Sequence, residues 1–194
     1  MNLYAFGKTL VKTALTPLYR FEVLGLESFP KEGGILLCSN HIHALDPPVV
    51  GMTAPRTVHF MAKEELFKLP VLGALLPKVN AFPVKRGMSD RDAMRTALKI
   101  LKSGEVVGLF PEGTRSIDGV LKKGLSGAGF FALRGNADVV PCAIIGPYKA
   151  FRKVKVVFGE PIPMDPYRER KATPDEVTEV IMASIQKLLD ENSK

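Results

Sequence analysis

One block of this 194-residue sequence combines residue types that can move protons: Ser39-Asn40-His41-Ile42-His43-Ala44-Leu45-Asp46-Pro47-Pro48. It follows Gly34–Cys38, an apolar run that reads as a buried strand, and α/β sheets place their sites at the carboxyl ends of strands. A neutral imidazole can take a proton from a hydroxyl near physiological pH. A carboxylate on the other ring nitrogen would fix the tautomer and stabilise the imidazolium. The separation between His41 and Asp46 is a poor helical match, so the two must meet through a turn, which suits the prolines that follow. A structural reading stays open beside this one, with Asp46 as an N-cap and Pro47 at the first helical position.

Anion-binding chemistry is distributed over three further blocks. Phe110-Pro111-Glu112-Gly113-Thr114-Arg115-Ser116 follows the apolar run Val106–Phe110. Its Arg115 offers a planar fork of donors matched to phosphate, and Thr114 and Ser116 add hydroxyls. Gly113 allows the backbone close to a ligand. In Asn80-Ala81-Phe82-Pro83-Val84-Lys85-Arg86-Gly87 a short strand ends in two cations, and Lys63 follows another strand. Each of these cations, taken alone, reads equally as a solvated charge. Val139-Val140-Pro141-Cys142-Ala143-Ile144-Ile145-Gly146 reads by itself as a core strand with a proline bulge.

Together, and in this order, the blocks resemble the glycerophospholipid acyltransferase family, and within it the bacterial lysophosphatidate acyltransferases. The resemblance rests on Asn40-His41 with Asp46, Phe82–Arg86, Pro111–Ser116 and Val140-Pro141, and it covers residues 34–146. It implies that His41 is the general base and Asp46 its orienter. It implies that Lys63, Arg86 and Arg115 hold the acceptor's phosphate, while Glu112, Gly113 and Thr114 shape the acceptor site. The implied reaction moves a fatty acyl group from acyl-CoA or acyl-carrier protein to the free hydroxyl of lysophosphatidate. No cofactor and no metal take part; another lysophospholipid or glycerol phosphate is the alternative acceptor. The chain departs from the family pattern at Asn80, where glycine is usual, and at His43, where a small polar residue is common.

The elements that must position these residues alternate along the chain. Strands are expected at Arg20–Leu24, Gly34–Cys38, Thr57–Met61, Ala81–Val84, Val106–Phe110, Val139–Ile145 and Lys153–Phe158. Helices are expected at Pro48–Met52, Val71–Leu76, Asp90–Lys102, Gly127–Arg134 and Pro174–Leu189. The expected fold is an α/β mixed sheet of about seven strands flanked by helices. Ser89 and Asp92 can cap the central helix, with Gly104 at its end, and Thr173 and Glu176 form a capping box on the last. Residues 2–18 read as an amphipathic helix, with Leu3, Phe6, Leu10, Val11, Ala14 and Leu18 on one arc and Lys8, Thr9, Lys12 and Thr16 on the other. A surface helix packed on the core and a helix lying on a membrane both fit that pattern. The domain reading is an N-terminal helix over 1–19 and an acyltransferase domain over 20–194.

Lysine and arginine number 27 against 20 acids, a net charge of +7, which favours anionic partners. No aromatic-interleaved RNA motif accompanies the charge, so lipid or phosphate is expected rather than nucleic acid. No apolar run approaches the ~20 residues of a membrane span, and no signal peptide is legible. The expected location is the cytoplasmic face of the membrane, with the chain bound peripherally. Three other readings compete with this one. Gly124-Leu125-Ser126-Gly127-Ala128 nearly matches a serine-hydrolase elbow, but every histidine precedes Ser126. His41, His43 and His59 form a weak metal set without a nearby cysteine. A non-catalytic basic membrane-binding module, built on Lys149, Arg152, Lys153 and Lys155, reads more simply as the exposed face of an edge strand. Val71–Leu76 and Phe130–Leu133 fit either an acyl tunnel or core packing, and Cys38 and Cys142 read as buried free thiols.

Overall fold

The computed structural model describes residues 3–85, 90–116 and 118–193. Seven strands form one sheet: β1 (Arg20–Leu24), β2 (Gly34–Ser39), β3 (Val58–Lys63), β4 (Ala81–Val84), β5 (Val106–Leu109), β6 (Ala137–Ile145) and β7 (Lys153–Phe158). Their order is β1-β7-β6-β2-β5-β3-β4. From β6 to β4 all pairs are parallel; β7 runs antiparallel to β6, and β1 lies parallel to β7. The mixed sheet thus keeps five strands ending on one side, and everything that follows those ends is available to one site. β6 begins two residues before its expected start because Ala137 pairs with Gly34, the first residue of β2.

Period-two alternation sends neighbours on β2 to opposite faces. Ile35 and Leu37 join one core with Val49, Val50, Val58 and Val156. Leu36 and Cys38 join the other with Leu101, Phe131, Val177, Ile181 and Ile185. The first face carries helices α1 (Leu3–Leu15) and α2 (Asp46–Thr53), and the second carries α4 (Arg91–Lys102), α5 (Gly127–Arg134) and α7 (Pro174–Asn192). α3 (Pro70–Leu75), flanked by two short 3₁₀ turns, links β3 to β4, and α6 (Asp165–Glu169) precedes α7. Single-turn elements of this kind carry too few residues for a periodic signal, and the sequence reading missed α6 and both 3₁₀ turns.

Caps follow local chemistry. Thr173 accepts from the Glu176 amide, as expected, at 3.2 Å. The acid that caps α4 is Asp90, accepting from Asp92 and Ala93, rather than Asp92; Ser89 lies outside the described residues. Gly104 closes that helix at φ +82°, a left-handed conformation that glycine adopts freely. Asn80 also sits in the left-handed region, at φ 59°. Asparagine tolerates this better than other non-glycine residues, which accounts for its standing where glycine is usual.

α1 packs in a way the helical wheel did not resolve. Val11 and Leu15 face the core, the Tyr4 hydroxyl donates to the Gly51 carbonyl, and Lys8 Nζ donates to the Ala54 carbonyl at 2.6 Å. Lys8 therefore belongs to the inward side, not the outer polar face, and burial lowers its pKa with help from Lys12. Leu10, Ala14 and Leu18 instead face outward. The expected apolar arc is split, with Val11 inside and Leu10, Ala14 and Leu18 exposed; the side chains of Leu3 and Phe6 lie outside the described residues.

Both cysteines are buried, and burial pushes Cys38 upward and Cys142 up to about 12. The thiols are protonated at neutral pH, so the folded chain should resist alkylation by iodoacetamide. Mass spectrometry should show two adducts only after denaturation; rapid labelling of the native chain would contradict this packing.

Candidate active site

The dyad forms at the carboxyl end of β2. His41 Nδ1 lies 2.8 Å from Asp46 Oδ2, and the same oxygen accepts from the Ile42 and His43 amides at 2.7 Å each. Asp46 is wholly buried. Although it opens α2, its side chain caps nothing there: it turns back to the 41–43 segment. The capping alternative is therefore not what the carboxylate does. With two amide protons already on Oδ2, that oxygen is an acceptor, and the proton between it and His41 belongs on Nδ1. His41 Nε2 is left with its lone pair free.

Tyr148 completes this carboxylate. Its hydroxyl donates to Asp46 Oδ1 at 2.8 Å, and burial first, then the Asp46 charge, drives the phenol pKa upward, so it stays a donor. Its ring stacks on His43 at 4.7 Å and meets Tyr19 edge-on at 5.7 Å. The sequence reading missed Tyr148. The available signal was a polar-tipped aromatic just beyond β6, at the same end of the sheet as the histidine. His43 does not face the carboxylate; its Nδ1 accepts from the Leu45 amide at 3.2 Å.

A second buried carboxylate holds the histidine's backbone. Glu112 Oε1 accepts from the His41 amide at 2.8 Å, while Oε2 accepts from the Ser116 hydroxyl and from the Lys122 amide at 3.0 Å. The Ser116 amide returns a bond to the His41 carbonyl at 2.7 Å. Phe110 stacks beneath the imidazole at 4.2 Å with planes 23° apart. Gly113 sits at φ +68°, a left-handed conformation that glycine adopts without strain. On the other side, Asn40 exchanges two bonds with the Ile144 backbone, at 2.7 and 2.9 Å, tying the end of β2 to β6. Glu112→Ala should cost on the order of 3 kcal/mol, because three buried or half-buried donors lose their acceptor. Urea unfolding measures this, and Glu112→Gln should fall between the two.

The expected phosphate ligands are placed less tightly. Lys63 ends β3 and Arg115 follows β5, so both leave the sheet on the side where His41 lies. Arg115 and Thr114 are exposed, and no ion pair engages Arg115 among the described residues. Lys63 contacts Glu65 at 3.5 Å. Arg86 lies outside the described residues.

The rival sites lack the necessary contacts. Ser126 is exposed and its hydroxyl meets no histidine among the described residues. His59 points its Nδ1 at the Val106 carbonyl, at the start of β5 and so at the opposite end of the strand from His41. Among the described residues no group of three or more His, Cys, Asp or Glu is arranged to hold a metal ion. Of the segments that fit either a tunnel or core packing, Phe131 and Ala132 are core, whereas Val71, Leu72 and Leu75 are exposed.

Comparison with known proteins gives a consistent result. The Acyltransferase family model matches residues 20–145. The chain is 32% identical to the 1-acyl-sn-glycerol-3-phosphate acyltransferase of Bacillus subtilis, over 97% of this chain and all of that one. It is 30% identical to a chloroplastic 1-acyl-sn-glycerol-3-phosphate acyltransferase of Arabidopsis thaliana, over 74% of this chain and 41% of the plant protein. The crystal structure of the 1-acyl-sn-glycerophosphate acyltransferase PlsC from Thermotoga maritima superposes with a TM-score of 0.78 at 27% identity, covering 95% of this chain and 79% of that one.

Proposed function

This chain belongs to the acyltransferase family, and from that premise we propose that it transfers a fatty acyl group from a thioester donor to the free hydroxyl of lysophosphatidate, giving phosphatidate. The observation that carries the chemistry is the crowded oxygen of Asp46. Because it accepts from the Ile42 and His43 amides as well as His41, it holds the imidazole with Nδ1 protonated and Nε2 bare. Nε2 takes the proton from the acceptor hydroxyl as its oxygen attacks the thioester carbonyl. The C–O bond forms, the C–S bond breaks, and the departing sulfur recovers the proton from the imidazolium. An ester and a free thiol result, and His41 ends neutral as it began. Asp46 stabilises the charge that His41 carries in between, and Tyr148 and Glu112 hold the two carboxylate-to-histidine contacts in register.

For the acceptor's phosphate we assign Arg115, Lys63 and Arg86. Support for the first two is their exit from the sheet beside His41, and support for Arg86 is the family resemblance alone. Gly113 and Thr114 are assigned to the wall of the acceptor site, with Glu112 setting the turn that presents them. The donor is acyl-CoA or acyl-carrier protein. Residues 1–19 are assigned to an anionic membrane surface and 20–194 to catalysis. What supports this is the outward Leu10, Ala14 and Leu18 together with exposed Lys12 and the absence of any acid before Glu22. No helix among the described residues is long and apolar enough to cross a membrane. A lipid acceptor and an intracellular thioester meet at the cytoplasmic face, which is the location we assign. The test is thiol release from acyl-CoA with and without lysophosphatidate. Release that requires the acceptor is expected; equal release without it would make the chain a thioesterase and end this reading.

A further inference from the structure

The segment that follows β5 seats one cation on the backbone of another. Lys122 Nζ donates to the Arg115 carbonyl at 3.2 Å. The amide of the same peptide unit, that of Ser116, donates to the His41 carbonyl at 2.7 Å. A single peptide group therefore stands between the Lys122 ammonium and the backbone of the general base. The backbone of Lys122 is fixed as well. Its amide donates to Glu112 Oε2 at 3.0 Å, and the Leu125 amide closes the loop on the Pro111 carbonyl at 2.8 Å.

Neither cation has a counter-ion. Arg115 and Lys122 are both exposed, and neither enters an ion pair among the described residues. Glu112 bonds the backbone of Lys122 and not its ammonium: the His41 amide takes Oε1, and the Ser116 hydroxyl and Lys122 amide take Oε2. From Gly113 to Ala137 the sequence holds one acid, Asp118, whose Oδ1 accepts from the Val120 amide at 3.3 Å. Lys122 thus gives up rotamer freedom for one exposed carbonyl bond, and on a residue that itself carries a positive charge. A bound anion offsets both costs. An ammonium has three protons to donate and the carbonyl uses one, so two remain for that anion.

We propose that Lys122 is a further ligand of the acceptor's phosphate, working with Arg115, and that the pair selects a phosphate monoester over a diester. This rests on the reading of the acceptor as lysophosphatidate. A monoester presents three terminal oxygens. The Arg115 fork takes two of them in parallel, and the Lys122 ammonium, a point donor, takes the third. A diester headgroup has only two terminal oxygens, which the fork alone uses up. Among alternative acceptors, glycerol phosphate keeps the Lys122 contact, and a lysophospholipid with a diester headgroup loses it.

Isothermal titration calorimetry of the full chain, with no acyl donor present, measures this contact apart from turnover. The ligands are short-chain lysophosphatidate, short-chain lysophosphatidylglycerol and glycerol phosphate. Lys122→Met keeps the stem and the amide that bonds Glu112, so thermal stability should match wild type. It should weaken lysophosphatidate about tenfold, the worth of one charge-assisted hydrogen bond, and leave lysophosphatidylglycerol nearly unchanged. Glycerol phosphate should lose the same factor, since it presents the same three oxygens. Lys122→Arg should restore most of the loss. The proposal is overturned if Lys122→Met binds lysophosphatidate like wild type, or if it weakens both lipids equally. A loss seen with lysophosphatidate but not with glycerol phosphate would also overturn it, by placing Lys122 on the acyl ester. Thiol release by the wild type tests the enzymatic reading separately. The expected binding pattern in a chain that releases no acceptor-dependent thiol would count against acyl transfer and not against the phosphate site.

Discussion

His41→Ala is expected to lower the rate of acyl transfer about 10²–10⁴-fold, the loss typical of a positioned general base. The fold should survive it. Phe110 and Asp46 line the position, but the backbone bonds to Glu112 and Ser116 do not involve the side chain that is removed. Circular dichroism and vesicle binding should therefore match wild type while thiol release collapses. Asp46→Asn is expected to be damaging for a different reason. The Ile42 and His43 amides require an oxygen at the Oδ2 position, so the new amide group must point its nitrogen at Tyr148, whose hydroxyl can accept. His41 then keeps its tautomer but loses the negative charge that stabilises the imidazolium, and the loss falls on kcat with little change in KM. His43→Ala, which removes a stacking partner of Tyr148 rather than a proton acceptor, should be the mildest of the three. Wild-type turnover in His41→Ala would end the general-base assignment, and a His43→Ala defect of equal size would reassign the base.

Arg115→Ala is expected to raise the acceptor KM about ten- to a hundredfold and to leave the donor KM nearly unchanged. A phosphate headgroup brings between one and two negative charges, which a site beside the dyad must meet with fixed cations. Arg115 is free to do so: it is exposed and enters no ion pair among the described residues. Its removal should leave stability close to wild type, which separates a ligand contact from a structural one. Arg115→Lys keeps charge without the bidentate fork and should recover only part of the loss. Lys63→Ala should act in the same direction but less, because its ammonium is shared with Glu65. Monoacylglycerol, which lacks the phosphate, should be a poor acceptor whose rate Arg115→Ala barely alters. Equal slowing of both acceptors would assign Arg115 to the donor or the fold.

Much of this protein was legible along the chain because the relevant physics is local. Strand-like runs of four to seven residues between turn residues placed all seven strands, three of them with their observed ends. The His41–Asp46 contact also closes within a single turn, so residue types at short spacing were enough to anticipate it. What stayed hidden depends on strand register. Asp46 and Tyr148 are 102 positions apart, and His41 and Glu112 are 71 apart. They meet because β2 pairs with β6 on one side and β5 on the other, all parallel, so that three strand ends converge. The resemblance placed Glu112 in the acceptor site, yet the bond to the His41 amide belongs to the tertiary structure.

The facing of α1 was undecidable for another reason: it is apolar on more than one side. Periodicity alone could not tell Val11, which packs, from Leu10 and Leu18, which do not. By itself the sequence determined the strands, the longer helices and the meeting of His41 with Asp46, since each follows from residue type and short-range geometry. Only the tertiary structure decided which buried groups hold the dyad and which apolar side chains remain uncovered. Both depend on which distant strands become neighbours, and no spacing along the chain encodes that.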